Sequence, residues 1–213
     1  MKIQWIGHSS FLITSSNNTK ILTDPFPNTI GYKVKDIYTD IVTISHHHFD
    51  HNCLENIKGD YVVLDNPGEV LCEKIIFKGF QSYHDEVNGA KRGPNTIFTF
   101  TVDDITICHL GDLGYILDEN EINALGKVNV LLIPVGGNYT IDNKEAAKLC
   151  KKINSNIIIP MHYHTPSLNF ELSGLDDFLI SMKNYEKIND TYLTIDDKHS
   201  IEKEKNKVFI LKY

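Results

Sequence analysis

His46, His48, Asp50 and His51 occupy a single six-residue span, in the order H-x-H-x-D-H. The residues just before them, 40–45 (Asp-Ile-Val-Thr-Ile-Ser), are apolar and β-branched, which predicts a short buried strand. Four potential metal ligands therefore stand where a strand gives way to a loop. Side chains two apart at a strand end point to the same side, so His46 and His48 can face one ion. Asp50 and His51 follow on the turn and can reach a second. Imidazole nitrogen and carboxylate oxygen suit zinc, and also manganese or iron. His47, between two ligand positions, should point away.

Composition narrows what such a site can serve. A chain of 213 residues with 41% hydrophobic content can bury a real core, and is expected to form one domain over 1–213. A net charge of -7 argues against general nucleic-acid binding, which usually shows a basic face. No apolar run approaches a membrane span, and the first residues do not read as a signal peptide. Cys53, Cys72, Cys108 and Cys150 are widely spaced and form no C-x-x-C, as expected of free thiols in a cytoplasmic protein. A small-molecule substrate is the expected partner. Oligomeric state is not encoded in any feature of the sequence.

Taken in order, 2–6, 10–15 and 19–24 read as three consecutive strands, and Asp24-Pro25-Phe26-Pro27 stops the third. A loop over 28–39 precedes the strand at 40–45. A helical turn is expected over 52–57, then strands at 61–64 and 74–83, the latter ending at His84-Asp85. After a polar, Gly-containing loop at 87–94, the segments 96–102 and 105–110 form a hairpin that runs into Gly111-Asp112. Helices are expected at 118–125, from Asp142 onward with Glu145 in capping-box spacing, and around Leu175, Phe178, Leu179 and Met182. Strands are expected at 129–135, 156–160, 191–195 and 207–213, the last two joined by a charged loop at 196–206. Strands come first in runs and then alternate with helices, which suggests two sheets with helices outside them.

Three further candidates share the strand-end setting: His84, Asp112 and His162. With His46, His48, Asp50 and His51 they make seven potential ligands. One ion with an open position needs about three protein ligands, so seven fit two ions with one carboxylate between them.

The order H-x-H-x-D-H, then His, then Gly-Asp, then His, each after a strand, resembles the metallo-β-lactamase fold superfamily. Trp5-Ile6-Gly7-His8-Ser9-Ser10-Phe11, Asp24-Pro25-Phe26, His109-Leu110-Gly111-Asp112 and Pro160-Met161-His162-Tyr163 look like its branch of small, single-domain zinc-dependent hydrolases related to ascorbate-lactonase and phosphodiesterase-like members. The resemblance covers 2 to about 166. It implies an α/β (α+β) fold, a four-layer αββα sandwich with the metals at one edge of the sheets. It also implies that His46, His48 and His84 hold one ion, that Asp50, His51 and His162 hold the other, and that Asp112 lies between them. Asp24 looks like the superfamily's upstream Asp, which orients a ligand. No Cys stands at the bridging position, unlike the zinc β-lactamases with a thiolate ligand. Position 48 is His where the diiron oxygen-reducing branch has Glu.

These readings together predict a metal-dependent hydrolase with two divalent ions, zinc first among them. The two ions would activate a shared water for attack on a small phosphodiester, lactone or other ester. Asp50 or Asp112 could take the nucleophile's proton, and His164 could protonate the leaving group. His8 is expected at the edge of the site and His109 behind a ligand. Asn138 and Tyr139 are expected on the rim. The competing reading is a metal-binding scaffold of the same fold without turnover, which an incomplete ligand set would favour.

Overall fold

A computed structural model describes residues Met1 to Tyr213. The strands, in chain order, are β1 (Lys2–Gly7), β2 (Ser10–Thr14), β3 (Lys20–Thr23), β4 (Ile37–Tyr38), β5 (Ile41–Thr43), β6 (Ile57–Lys58), β7 (Val62–Leu64), β8 (Gly68–Cys72), β9 (Ile75–Tyr83), β10 (Pro94–Val102), β11 (Ile105–His109), β12 (Val130–Pro134), β13 (Ile157–Met161), β14 (Tyr185–Lys187), β15 (Tyr192–Thr194) and β16 (Lys207–Ile210). The helices are α1 (Glu119–Leu125), α2 (Asn143–Ile153), α3 (Asp176–Met182) and α4 (Lys198–Glu202). Two large sheets result, ordered β15-β1-β2-β3-β5-β7 and β14-β16-β13-β12-β11-β10-β9-β8, with a small β4-β6 ribbon beside them. This is the expected mixed α/β architecture of two sheets. No helix is long and apolar enough to cross a membrane.

Period-two alternation sorts each strand's residues between two faces. Ile21 and Ile41 join Ile3, Phe11, Phe98 and Phe100 in the main core. Their neighbours Leu22 and Val42 point the other way and pack with Ile44, Ile57, Ile37 and Leu54. The outer face of the six-stranded sheet is thus covered by the β4-β6 segments, so this layer is thinner than a full row of helices. Helix α2 lies against β12, with α3 beside it.

Helix α2 begins as its spacing predicts. The Asp142 carboxylate accepts from the Lys144 and Glu145 N–H groups at 2.8 Å each, and Glu145 reaches back to the Asp142 N–H at 3.0 Å. Asn154, in the left-handed region, closes the helix. Asp142→Ala should lower unfolding stability by about 1 kcal/mol, the usual worth of such a cap. The urea midpoint should fall with the slope unchanged, and an unmoved midpoint would show the cap to be redundant.

Four local expectations are corrected. Residues 52–57 form no helix; they lead into the two-residue strand β6. Strand β8 went unpredicted because Gly68, Glu69, Val70 and Leu71 are exposed on both faces, so it carries no alternation. Strand β14 is likewise exposed throughout. The charged loop 196–206 contains the single-turn helix α4, capped by Asp197.

Strand direction decides where the site forms. Strands β1 and β3 both pair antiparallel with β2, and β3 runs parallel to β5. In the other sheet β9 and β11 both pair antiparallel with β10, while β11, β12 and β13 are mutually parallel. Within each sheet, then, the strands that precede His8, Asp24, His46, His84, Asp112 and His162 run one way. Their C-terminal ends lie at a common edge, where open α/β sheets leave a crevice. Backbone bonds join the sheets there: Thr96 N–H donates to Ser45 O at 2.8 Å and His162 N–H to His8 O at 3.2 Å.

Candidate metal centre

Asp24 anchors the cluster from behind. Its carboxylate is fully buried and accepts from Ser45 N–H at 2.7 Å, from Ser45 Oγ–H at 2.6 Å and from His51 Nδ1–H at 3.0 Å. Because Ser45 Oγ gives its proton to Asp24, it accepts from His46 Nδ1–H, 2.9 Å away. The tautomers of both imidazoles follow, since each ring is protonated at Nδ1 and turns its Nε2 lone pair toward the cavity. His46 Nε2 is buried there without any hydrogen-bond partner in the protein.

Asp112 occupies the middle. Its Oδ2 lies 3.1 Å from His84 Nε2, 3.2 Å from His51 Nε2, 3.2 Å from His162 Nε2 and 3.9 Å from His46 Nε2. Its Oδ1 is buried with no partner. The preceding turn is built for this approach. Gly111 has φ +57°, and a Cβ on it would stand 2.3 Å from Asn95 Oδ1 and 2.5 Å from Ser45 Cβ. Only glycine lets the three segments meet so closely. Asn95 in turn accepts the Asp112 N–H at 2.9 Å and donates to Leu110 O at 2.9 Å.

Candidate ligand atoms lie within 4.8 Å of one another in three groups: His46, His48 and His84; His8, Asp50, His51 and His162; and Asp24, His46 and His51, the last being the set that Asp24 already ties together by hydrogen bonds. His8 is the member that the sequence reading left at the edge. It is fully buried, and its Nε2 lies 3.2 Å from both Asp50 Oδ2 and His51 Nε2. His8, Asp24 and His162 all have positive φ (51°, 37° and 50°). Non-glycine residues held this way cost energy and cluster at functional sites.

Electrostatics favours neutral rings at His8, His46 and His48 and ionised carboxylates, whereas at His51 burial is outweighed by Asp112 and Asp24, which hold that ring well above its ordinary range. Burial, followed by repulsion from His162, pushes His8 down to about 4. Burial, followed by repulsion from His51, pushes His46 down to about 3. For Asp112, burial opposes the charge, but His162 and His51 outweigh it and hold the carboxyl well below its ordinary range. Neutral imidazole and carboxylate are the forms that bind a metal. The partnerless His46 Nε2 and Asp112 Oδ1 would otherwise leave buried polar atoms unpaid by any hydrogen bond. The donor set therefore fits metal ions.

The cluster floors a cavity of about 420 Å³. His48, Asp50, His84, Asp112 and His162 form its base, and Phe49, Tyr139 and Phe170 stand around them. Tyr139 is on the rim as expected. One expectation changes. His164 does not join the cluster: it is exposed and lines a different cavity with Leu175, Leu179 and Tyr213. The turn at His162 (φ +50°) redirects the chain, and the His164 N–H is tied to Ser173 O at 3.0 Å. That removes the geometric ground for His164 as a proton donor to a leaving group here. Asp85, beside His84, anchors a loop: its carboxylate gathers the N–H groups of Val87, Gly89, Lys91 and Arg92 at 2.7–2.9 Å and so folds the segment over 85–92. His47 points out to solvent, 3.5 Å from Asp65, as alternation requires. His109 donates from Nε2 to Ser9 O at 2.8 Å and accepts the Gly111 N–H at Nδ1, so it braces the turn before Asp112.

Two β-sheets that pool imidazole and carboxylate at the ends of co-directional strands define a metal-dependent hydrolase of the metallo-β-lactamase type. Comparison with known proteins places the chain more narrowly. The family model described as the beta-lactamase superfamily domain matches residues 2–162, and the chain belongs to that family. A UPF0173 metal-dependent hydrolase of Bacillus cereus is 30% identical over 199 residues, covering 78% of this chain and 86% of that protein. The structure of a Thermotoga maritima protein assigned to the Zn-dependent hydrolases of the metallo-beta-lactamase superfamily superposes with a TM-score of 0.82 at 36% identity, covering 99% of this chain and 97% of that one. A metal-dependent hydrolase assignment from Parabacteroides distasonis, 19% identical, shares the fold with a TM-score of 0.71 over 99% of this chain and 93% of that one. The chain is accordingly a metal-dependent hydrolase with a His/Asp cluster able to bind metal.

Proposed function

We propose that the cluster holds two divalent ions, zinc foremost, and that the chain hydrolyses a small phosphodiester or a lactone or other ester. His46, His48 and His84 would hold one ion and Asp50, His51 and His162 the other, with Asp112 shared. The observation that carries this reading is the position of Asp112 Oδ2, within 3.2 Å of His84 from one group and of His51 and His162 from the other. Bound there, the ions would supply Lewis-acid polarisation of a scissile group and a nucleophile at neutral pH.

The chain's own residues supply the rest. Asp24 fixes His51 directly and His46 through Ser45, so both groups are oriented from one carboxylate. His8 Nε2–H donates to Asp50 Oδ2 and keeps that carboxylate turned to the cavity, where its partly exposed side chain can take a proton. Phe49, Tyr139 and Phe170 give the cavity apolar walls against which the non-reacting part of a substrate would pack. The cavity volume and the net charge of -7 favour a small substrate over a long nucleic acid.

Protein reconstituted separately with zinc, manganese and iron should be analysed for metal and assayed on chromogenic phosphodiesters, lactones and thioesters. Two equivalents per chain and turnover of a phosphodiester or an ester are expected. A single equivalent at saturation would overturn the paired site, and turnover confined to thioesters would overturn the bond assignment.

A further inference from the structure

Among 21 basic side chains, the protein has one arginine, Arg92, and it stands at the mouth of the metal cavity. Everywhere else the chain uses lysine. Lysine and arginine serve equally well as solvated charge, but only the guanidinium offers a planar fork that matches a carboxylate or phosphate with two parallel hydrogen bonds. A position that alone carries arginine is one where geometry as well as charge is required.

The surroundings hold this side chain ready. The Arg92 and Lys91 N–H groups donate to Asp85 Oδ2 at 2.7 and 2.9 Å, which pins the loop directly after His84. Arg92 Nη2 donates to Asn138 O at 3.0 Å, and the guanidinium carbon lies 5.8 Å from the centre of the Tyr139 ring. No carboxylate pairs with it. The acidic neighbour on the same loop, Glu86, is taken by Lys91. A guanidinium has five N–H donors; one is used here, and the others remain for a ligand. Arg92 is the only Lys or Arg on the cavity wall, across from Asp50, Asp112 and the imidazoles.

We propose that Arg92 binds an oxyanion on the substrate, a phosphate or a carboxylate, while the scissile group rests over the metal cluster. Asp85 is a positioning residue that presents Arg92 by folding its loop. This assignment rests on the hydrolytic reading above and narrows its substrate class to anionic esters.

The test uses three p-nitrophenyl esters of matched length: butyrate (neutral), hemisuccinate (carboxylate) and 3-phosphonopropanoate (phosphonate). Metal-loaded wild type, Arg92→Gln and Arg92→Lys are compared at equal metal content. In Arg92→Gln the ratio of kcat/KM for the anionic ester to that for the neutral ester should fall roughly tenfold to a hundredfold, the worth of a charge-assisted hydrogen bond. Arg92→Lys should recover only part of the ratio, since it restores charge without the fork. The acyl group whose ratio falls more identifies the oxyanion. Binding of phenylphosphonate and phenylacetate is also followed by calorimetry, independent of turnover. There Arg92→Gln should weaken the preferred anion at least about tenfold. A ratio and an anion affinity both unchanged in Arg92→Gln would overturn the proposal and leave Arg92 as a brace to Asn138. If wild type hydrolyses none of the esters, ester hydrolysis is what fails, and the calorimetric comparison alone decides the role of Arg92.

Discussion

Asp112→Ala should cut hydrolysis by about 10³-fold or more while the protein stays folded. Its Oδ2 lies within 3.2 Å of His84 from one ligand group and of His51 and His162 from the other. Without it the two sets lose their common partner, and a paired metal site contributes several kcal/mol to the transition state. A loss of about 4 kcal/mol is a thousandfold in rate. The fold should survive because the turn is held by other contacts: the Asp112 N–H remains on Asn95, and Asn95 on Leu110. Metal content should fall below that of wild type, and circular dichroism should be unchanged. Activity within tenfold of wild type, with full metal occupancy, would remove Asp112 from the centre.

The second large effect is expected at Asp24, which touches no substrate. Its carboxylate is held below the ordinary range despite burial, because His109 and His51 outweigh the cost of burying the charge. Removing a group that orients a metal-bound imidazole typically costs 10- to 100-fold in affinity or activity. Here one carboxylate orients a ligand in each group, so Asp24→Ala should weaken metal binding by roughly 100-fold or more. It also strands the buried Ser45 N–H, at a cost of about 1–3 kcal/mol in stability. At saturating metal the variant should recover much of the activity yet remain less stable than metal-saturated wild type. That split separates orientation of ligands from general loosening of the fold. Wild-type metal affinity in Asp24→Ala would refute it, as would activity that excess metal cannot rescue.

The readable parts of this protein are those written in local sequence. The span from His46 to His51, the strand ends at His84, Asp112 and His162, and the capping box of α2 each carry their signal within a few residues. The two sheets followed from the rhythm of strands and helices. What escaped notice depends on pairing between distant strands. His8, expected only at the edge of the site, is seen to join the cluster once β1, β3 and β5 are found to end together. His164 misled through its nearness to His162, because a left-handed turn between adjacent strand and loop is invisible in residue spacing. Arg92 was findable without coordinates, as the single arginine in a lysine-rich chain. The edge strands β8 and β14 escaped because strands without a buried face have no alternation to read.

The two sheets divide the ligands in a particular way. His8, His46, His48, Asp50 and His51 come from the six-stranded sheet and the loops that leave it, whereas His84, Asp112 and His162 come from the eight-stranded sheet. Neither ligand group is complete within one sheet: the first needs His84, the second His162. An ion held by either group would therefore take ligands from both halves of the sandwich. Bound there, it would add to the backbone bonds that already join the sheets at this edge, so metal occupancy would stiffen a sandwich that folds without it.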